Sequence, residues 1–160
     1  DSCKSLYSKV AKSNCVMLLR NMEKIILHGK VGVQQTHLDE PLLPRRKPSD
    51  GLIDFNQSAT VVYDFIRALT KPYPGAFFFH EGKKYVVWNA SFFESINHNC
   101  YPGVILEHIY SYFKSHCGLL VSTKKGGIIM FSIEVNEKKL LGKNLHKEFP
   151  IGTSLHLNYE

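Results

Sequence analysis

The apolar pattern of this chain changes period at one place, and that change limits what the chain can fold into. Ala59, Val62, Ile66 and Leu69 recur at helical spacing, with Phe65 widening the stripe and Thr60, Asp64, Arg67 and Lys71 on the opposite side. Asp54, Asn56 and Ser58 precede it and offer side-chain oxygens to the unpaired N–H groups of a first turn. A helix is therefore predicted to start within a residue or two of Asn56. Pro72 and Pro74 stop it, because proline has no N–H and clashes with the preceding turn, and Gly75 reopens the chain. Beyond Gly75 the period is two, so the chain reads as one central helix followed by strands.

Residues 75–80 and 84–92 flank Glu81-Gly82 as a hairpin, with Tyr85, Val87 and Asn89 expected on one face and Val86, Trp88 and Ala90 on the other. A polar loop at 95–99 and Pro102-Gly103 lead to a third strand, predicted over 104–113. Residues 118–122 and 128–135 flank Lys124-Lys125-Gly126-Gly127 as a second hairpin, where glycine allows positive φ. Residues 138–149 read as a short, glycine-interrupted helix and 155–157 as a closing strand. Short strands with few helices imply an α+β, mainly β domain. The expected form is a small closed β-barrel of the oligonucleotide-binding-fold type, because closure removes exposed strand edges.

Upstream, Leu6, Val10, Cys15, Leu18, Leu19, Met22, Ile25 and Ile26 form an apolar stripe with Lys9, Lys12, Arg20 and Lys24 turned away. Residues 1–29 are thus predicted to be a long amphipathic helix ended by Gly29. Residues 30–48 hold no sustained period and would be unusually long for a loop inside a compact domain, so they read as an extended linker. The chain has 160 residues, 44% of them hydrophobic. That length buries roughly 70% of the unfolded surface, enough for one domain and an appendage. It begins at Asp1 and has no apolar run long enough for a signal sequence or a membrane span. It is read as a fragment with no membrane partner. Cys3, Cys15, Cys100 and Cys117 lie far apart, without zinc-finger spacing. Reduced, mostly buried thiols of a cytoplasmic protein and no metal are expected. A net charge of +6 permits a polyanionic partner such as tRNA or a nucleotide diphosphate without demanding one.

Arg45, Arg46 and Lys47 are candidate phosphate ligands, since a guanidinium fork matches phosphate oxygens; a solvated basic linker is the plainer alternative. Arg67 stands three residues after Asp64, and an intrahelical ion pair accounts for it without function. Phe77, Phe78, Phe79, Tyr85, Trp88, Phe92 and Phe93, beside Lys83, Lys84, Lys124 and Lys125, suit a base-stacking surface, although strand alternation buries about half of such a set. The scattered His residues show no nucleophile or carboxylate at a suggestive spacing, so no catalytic residue is assigned.

Four motifs carry a resemblance: Arg45-Arg46-Lys47-Pro48-Ser49-Asp50, Ile53-Asp54-Phe55, Ile66-Arg67-Ala68 and Pro72-Tyr73-Pro74-Gly75-Ala76-Phe77. In this order they resemble the 10-formyltetrahydrofolate-dependent formyltransferases, and the likeness extends over nearly the whole chain. It implies that residues 1–29 are the last helix of a catalytic domain, 30–49 a linker and 50–160 the C-terminal β-barrel domain. The family's catalytic Asn, His and Asp lie in an N-terminal domain that this chain lacks, so the fragment alone is expected to be inactive and to bind no cofactor. The parent would use 10-formyltetrahydrofolate as co-substrate. The Arg-Arg run is similar to that of sugar-nucleotide formyltransferases, which implies a nucleotide-linked amino sugar as the parent's substrate and Arg45, Arg46 and Arg67 as substrate-binding candidates. The C-terminal tRNA-binding domain of a methionyl-tRNA formyltransferase is the alternative. Phe55 stands where both branches usually have Trp and does not separate them. A stand-alone nucleic-acid-binding barrel is a reading of another class, against which the first helix argues.

Overall fold

A computed structural model describes residues 1–29, 32–34, 42–94, 96, 99–110 and 117–155. The elements in order are α1 (Cys3–His28), a 3-10 turn (Pro48–Gly51), α2 (Ala59–Ala68), β1 (Ala76–His80), β2 (Lys83–Phe93), β3 (Ile105–Ile109), β4 (Gly118–Ser122), β5 (Gly127–Val135), β6 (Lys138–Leu141) and α3 (Lys143–Glu148). All strand pairs are antiparallel.

The central helix forms as its signals require. Ser58 is the N-cap, its side chain accepting from the Val61 N–H, and Ala59, Val62 and Ile66 are buried. The Ala59 N–H donates to the Lys125 carbonyl, and the Lys124 N–H to those of Phe55 and Gln57, so the β4–β5 turn holds the start of α2.

The sheet order is β1-β2-β5-β4-β3, with β6 added on β5. β5 is the spine: β2 runs along one edge, while β4 pairs with its first half and β6 with its second half on the other. The sheet is open among the described residues, which corrects the expectation of a closed barrel. The physical reason lies at its two ends. Beyond β1, the Ile53 N–H donates to the Phe77 carbonyl at 2.8 Å. Beyond β3, the Ile105 N–H donates to Thr153 at 2.9 Å and the Leu155 N–H to Gly103 at 2.7 Å. Short irregular segments thus satisfy edge groups that a barrel would satisfy by closure.

Three further expectations change. Residues 138–149 are not one helix: Asn136 and Glu137 adopt φ of 48° and 64° and turn β5 directly into β6, and α3 begins only after Gly142. That is the geometry of a two-residue hairpin turn that favours glycine, here built without one. The alternation in β2 slips at a bulge between Val87 and Ala90. Tyr85 and Val87 are buried, Asn89 is exposed, and Ala90 and Phe92 return to the core. The third strand ends at Ile109; residues 111–113 of its predicted span, like Leu157 of the closing strand, lie outside the described residues.

The core lies where α2, the sheet and α3 meet. Phe78 stacks on Tyr85 at 5.4 Å, and Phe149 closes on both rings at 5.9 and 5.0 Å. The Tyr85 hydroxyl donates to Glu148 Oε1 at 2.7 Å, which fixes the end of α3 to the sheet. α1 is different. Ser2 caps it and Gly29 ends it at φ 70°, but none of its residues is buried, and Leu19 and Ile26 are 72% and 73% exposed. The cysteines correct the expectation of mostly buried thiols: all four are free, Cys15 and Cys100 are exposed, and Cys3 and Cys117 are half-buried. Cys15 is open because its stripe on α1 has no cover.

Candidate functional site

The basic segment does not hang loose. Pro48 opens the 3-10 turn, the Asp50 N–H donates to the Lys47 carbonyl at 3.0 Å, and Asp50 Oδ2 accepts from the Lys47 N–H at 2.7 Å. Gly51 then packs against β1: a Cβ there would meet the Gly75 carbonyl oxygen at 2.9 Å and the Phe77 ring at 3.3 Å. Gly75, at φ 91°, is equally confined, since a Cβ would run into Val86. These two glycines let the linker lie flat across the turn that follows α2.

Between them is a cavity of about 650 Å3. One wall is the linker, with Arg45, Arg46 and Lys47. Another is the end of α2, with Ala68 and Leu69, and a third is the turn of Tyr73 and Pro74. Among the described residues neither Arg45 nor Arg46 has a carboxylate within ion-pair distance. Asp50, the acid of the lining, is held by the backbone of its own turn. The cavity thus combines uncompensated positive charge with apolar walls, the composition that recognises an anion attached to an organic body.

Arg67 is placed elsewhere. Its Nε donates to Asp64 Oδ1 at 2.7 Å, and one terminal nitrogen donates to the Asp1 carbonyl at 2.8 Å. The ion pair expected from spacing is present, and it also ties α2 to the start of α1. Arg67 borders a smaller cavity with Asp1, Tyr63 and Trp88. The structure therefore brings Arg45 and Arg46 together and leaves Arg67 apart. Tyr73 and Lys47 complete the larger cavity; the signal for Tyr73 was its position between two prolines.

The aromatic set does not divide by simple alternation, since the neighbours Phe77 and Phe78 of β1 are both covered. Phe77, Phe78 and Tyr85 are buried, while Phe93 is about half exposed at 51%. Lys84 lies over the Phe77 ring at 3.9 Å, and Lys71 over Trp88 at 5.2 Å.

One histidine pair is invisible to spacing. His108 of β3 and His146 of α3 stack at 4.4 Å with planes 4° apart. His108 Nε2 is 2.7 Å from the Phe149 carbonyl and His146 Nε2 is 3.1 Å from that of Gly118, so each ring carries a proton at Nε2 and donates it. His146 Nδ1 is buried without a partner among the described residues. Burial lowers the His146 pKa from 6.5, the Gly118 hydrogen bond opposing and the His108 charge adding to the decrease. His37, His98, His116 and His156 lie outside the described residues. Among the described residues no group of three or more His, Cys, Asp or Glu is set to hold a metal ion. Among the described residues no helix is long and apolar enough to cross a membrane.

A family model described as formyl transferase, C-terminal domain, matches residues 45–147, a range that includes the motif run and most of the sheet; the chain belongs to that family. A relative 35% identical over 144 residues is the bifunctional polymyxin resistance protein ArnA of Wigglesworthia glossinidia brevipalpis, the match covering 89% of this chain and 20% of the relative. Solved structures of HypX from Aquifex aeolicus share the fold. The complex with tetrahydrofolic acid superposes with a TM-score of 0.58 at 22% identity, covering 85% of this chain and 22% of that one. A variant with six alanine substitutions gives 0.56 at 19%, covering 91% and 25%. The chain thus spans 20% of the length of ArnA and 22–25% of that of HypX.

Proposed function

We propose that this chain is the C-terminal part of a 10-formyltetrahydrofolate-dependent N-formyltransferase acting on the amino group of a nucleotide-linked amino sugar. The observation that carries the reading is the cavity in which Arg45 and Arg46 stand without a carboxylate partner among the described residues. An anionic substrate tail would restore the missing charge balance, and two forked guanidiniums suit adjacent phosphates better than a single carboxylate. Similarity to ArnA supports the sugar-nucleotide branch, and similarity to a HypX structure holding tetrahydrofolic acid supports a folate co-substrate.

In this reading residues 1–29 are the last helix of the catalytic domain, 30–49 the linker and 50–160 the C-terminal domain. The uncovered stripe of α1 is then the surface on which that helix meets its own domain. The folate supplies the formyl group, and the residues that activate the amine belong to the N-terminal domain. This chain's Arg45 and Arg46 hold the phosphates, and Arg67 keeps α1 and α2 in fixed relation. The tRNA reading needs a gathered cationic track, and two of the basic residues have local neighbours instead. Lys84 is engaged over Phe77, and Lys139 lies opposite Glu134 in the β5–β6 register.

The test is steady-state formylation by the full-length parent with Arg46→Ala and the Arg45→Ala, Arg46→Ala double variant. The reading expects KM for the nucleotide-linked sugar to rise about tenfold or more with a smaller change in kcat, as when binding common to ground and transition states is lost. Unchanged KM in the double variant would remove the cavity from the substrate site.

A further inference from the structure

We infer that Tyr73 is the platform for a nucleobase, so that the cavity takes a nucleoside diphosphate and not a phosphate group alone. The inference rests on the substrate reading above, which assigns residues only to the phosphates of the nucleotide, and it assigns a residue to the base.

The cations stand on the linker wall, while Ala68, Leu69, Tyr73 and Pro74 supply apolar surface. Phosphates held at Arg45 and Arg46 would leave that surface to whatever the phosphates are attached to. Tyr73 is suited to receive a flat ring. It lies between Pro72 and Pro74, whose rings limit backbone freedom on both sides, and its side chain stays accessible, the residue being 45% exposed. The neighbouring Tyr7 of α1 raises the Tyr73 pKa above its ordinary value, while the Arg46 charge acts in the opposite sense. Tyr73 and Arg46 line the same cavity, and Arg46 is near enough for its charge to be felt. An aromatic face close to a guanidinium is the pairing that holds a base and its phosphate together. The cavity volume, about 650 Å3, falls inside the roughly 300–1,000 Å3 of ligand sites.

The experiment is calorimetric titration of the 160-residue chain with uridine diphosphate, adenosine diphosphate and inorganic pyrophosphate, in wild type, Tyr73→Phe, Tyr73→Leu and Arg46→Ala. Each variant is first shown to unfold cooperatively. The inference expects both nucleotides to bind about tenfold tighter than pyrophosphate, Tyr73→Leu to remove that advantage, and Tyr73→Phe to keep it within roughly threefold. Arg46→Ala weakens all three ligands. If pyrophosphate binds as well as the nucleotides, or Tyr73→Leu leaves the advantage intact, the inference fails while the phosphate reading stands. If no ligand binds, or Arg46→Ala has no effect, the phosphate reading fails and takes the inference with it.

Discussion

His146 is required to be neutral by its surroundings. Its Nε2–H has an acceptor, its Nδ1 has none among the described residues, and a stacked imidazole covers one face. A proton added at Nδ1 would be a buried donor without a partner. Because the folded-state pKa lies below the unfolded 6.5, the unfolded chain binds more protons as pH falls through 6.5 toward the folded value, and stability declines over that window. Above 6.5 this site makes no contribution to the pH dependence. Urea midpoints at pH 7.5 and 5.0 check it: wild type should lose more stability on acidification than His146→Gln, and equal losses would contradict the assignment. Tyr85 shows the converse case. Burial first, and then the hydrogen bond to Glu148, raise its pKa, so its stabilisation is present below pH 10.0 and is lost only as pH rises beyond that. Tyr85→Phe should cost about 1 kcal/mol by leaving the Glu148 carboxylate without its donor. Phe149→Ala should cost about 3–5 kcal/mol, because it empties the centre of the aromatic cluster. Equal effects of the two substitutions in equilibrium unfolding would contradict this placement of the core. At this scale Arg45, Arg46 and the Asp64–Arg67 pair were legible, being fixed by local order. The His108–His146 stack was not, since it depends on β3 and α3 meeting in space.

Among the elements, α2 and two hairpins could be read directly because glycine, proline and capping residues mark their ends. β6 was hidden by a turn that carries Asn136 and Glu137 in place of glycine, both at positive φ. A residue other than glycine is strained there. Glu137→Gly should therefore raise stability by about 0.5–1 kcal/mol without altering the sheet, measured as a higher urea midpoint with unchanged slope. No gain would indicate that Glu137 makes a compensating interaction. The barrel expectation failed for a related reason: closure was inferred from the need to protect edges, and here the Leu52–Ile53 and Thr153–Leu155 segments do that locally. For α1 the apolar stripe was legible but its cover was not, because none of the described residues supplies it. Hydrogen exchange should give α1 amides little protection beside those of β2 and β5, whereas strong protection of Leu18 to Ile26 in a demonstrated monomer would mean the helix is stable without a partner.

For the whole molecule, family membership was legible because the motifs sit in one continuous run from Arg45 to Phe77. The cavity was not, because it forms only when Gly51 and Gly75 let the linker lie across the α2–β1 turn. If, as proposed, this chain supplies phosphate binding and the chemistry comes from an N-terminal catalytic domain, the 160-residue chain should show only background formyl transfer. The most direct test uses the full-length parent with 10-formyltetrahydrofolate, measuring formylation of a nucleotide-linked amino sugar and of methionyl-tRNA side by side. The account predicts turnover of the sugar nucleotide, a KM raised about tenfold or more by the Arg45→Ala, Arg46→Ala double variant, and background with the tRNA. Efficient tRNA formylation with no turnover of the sugar nucleotide would contradict it.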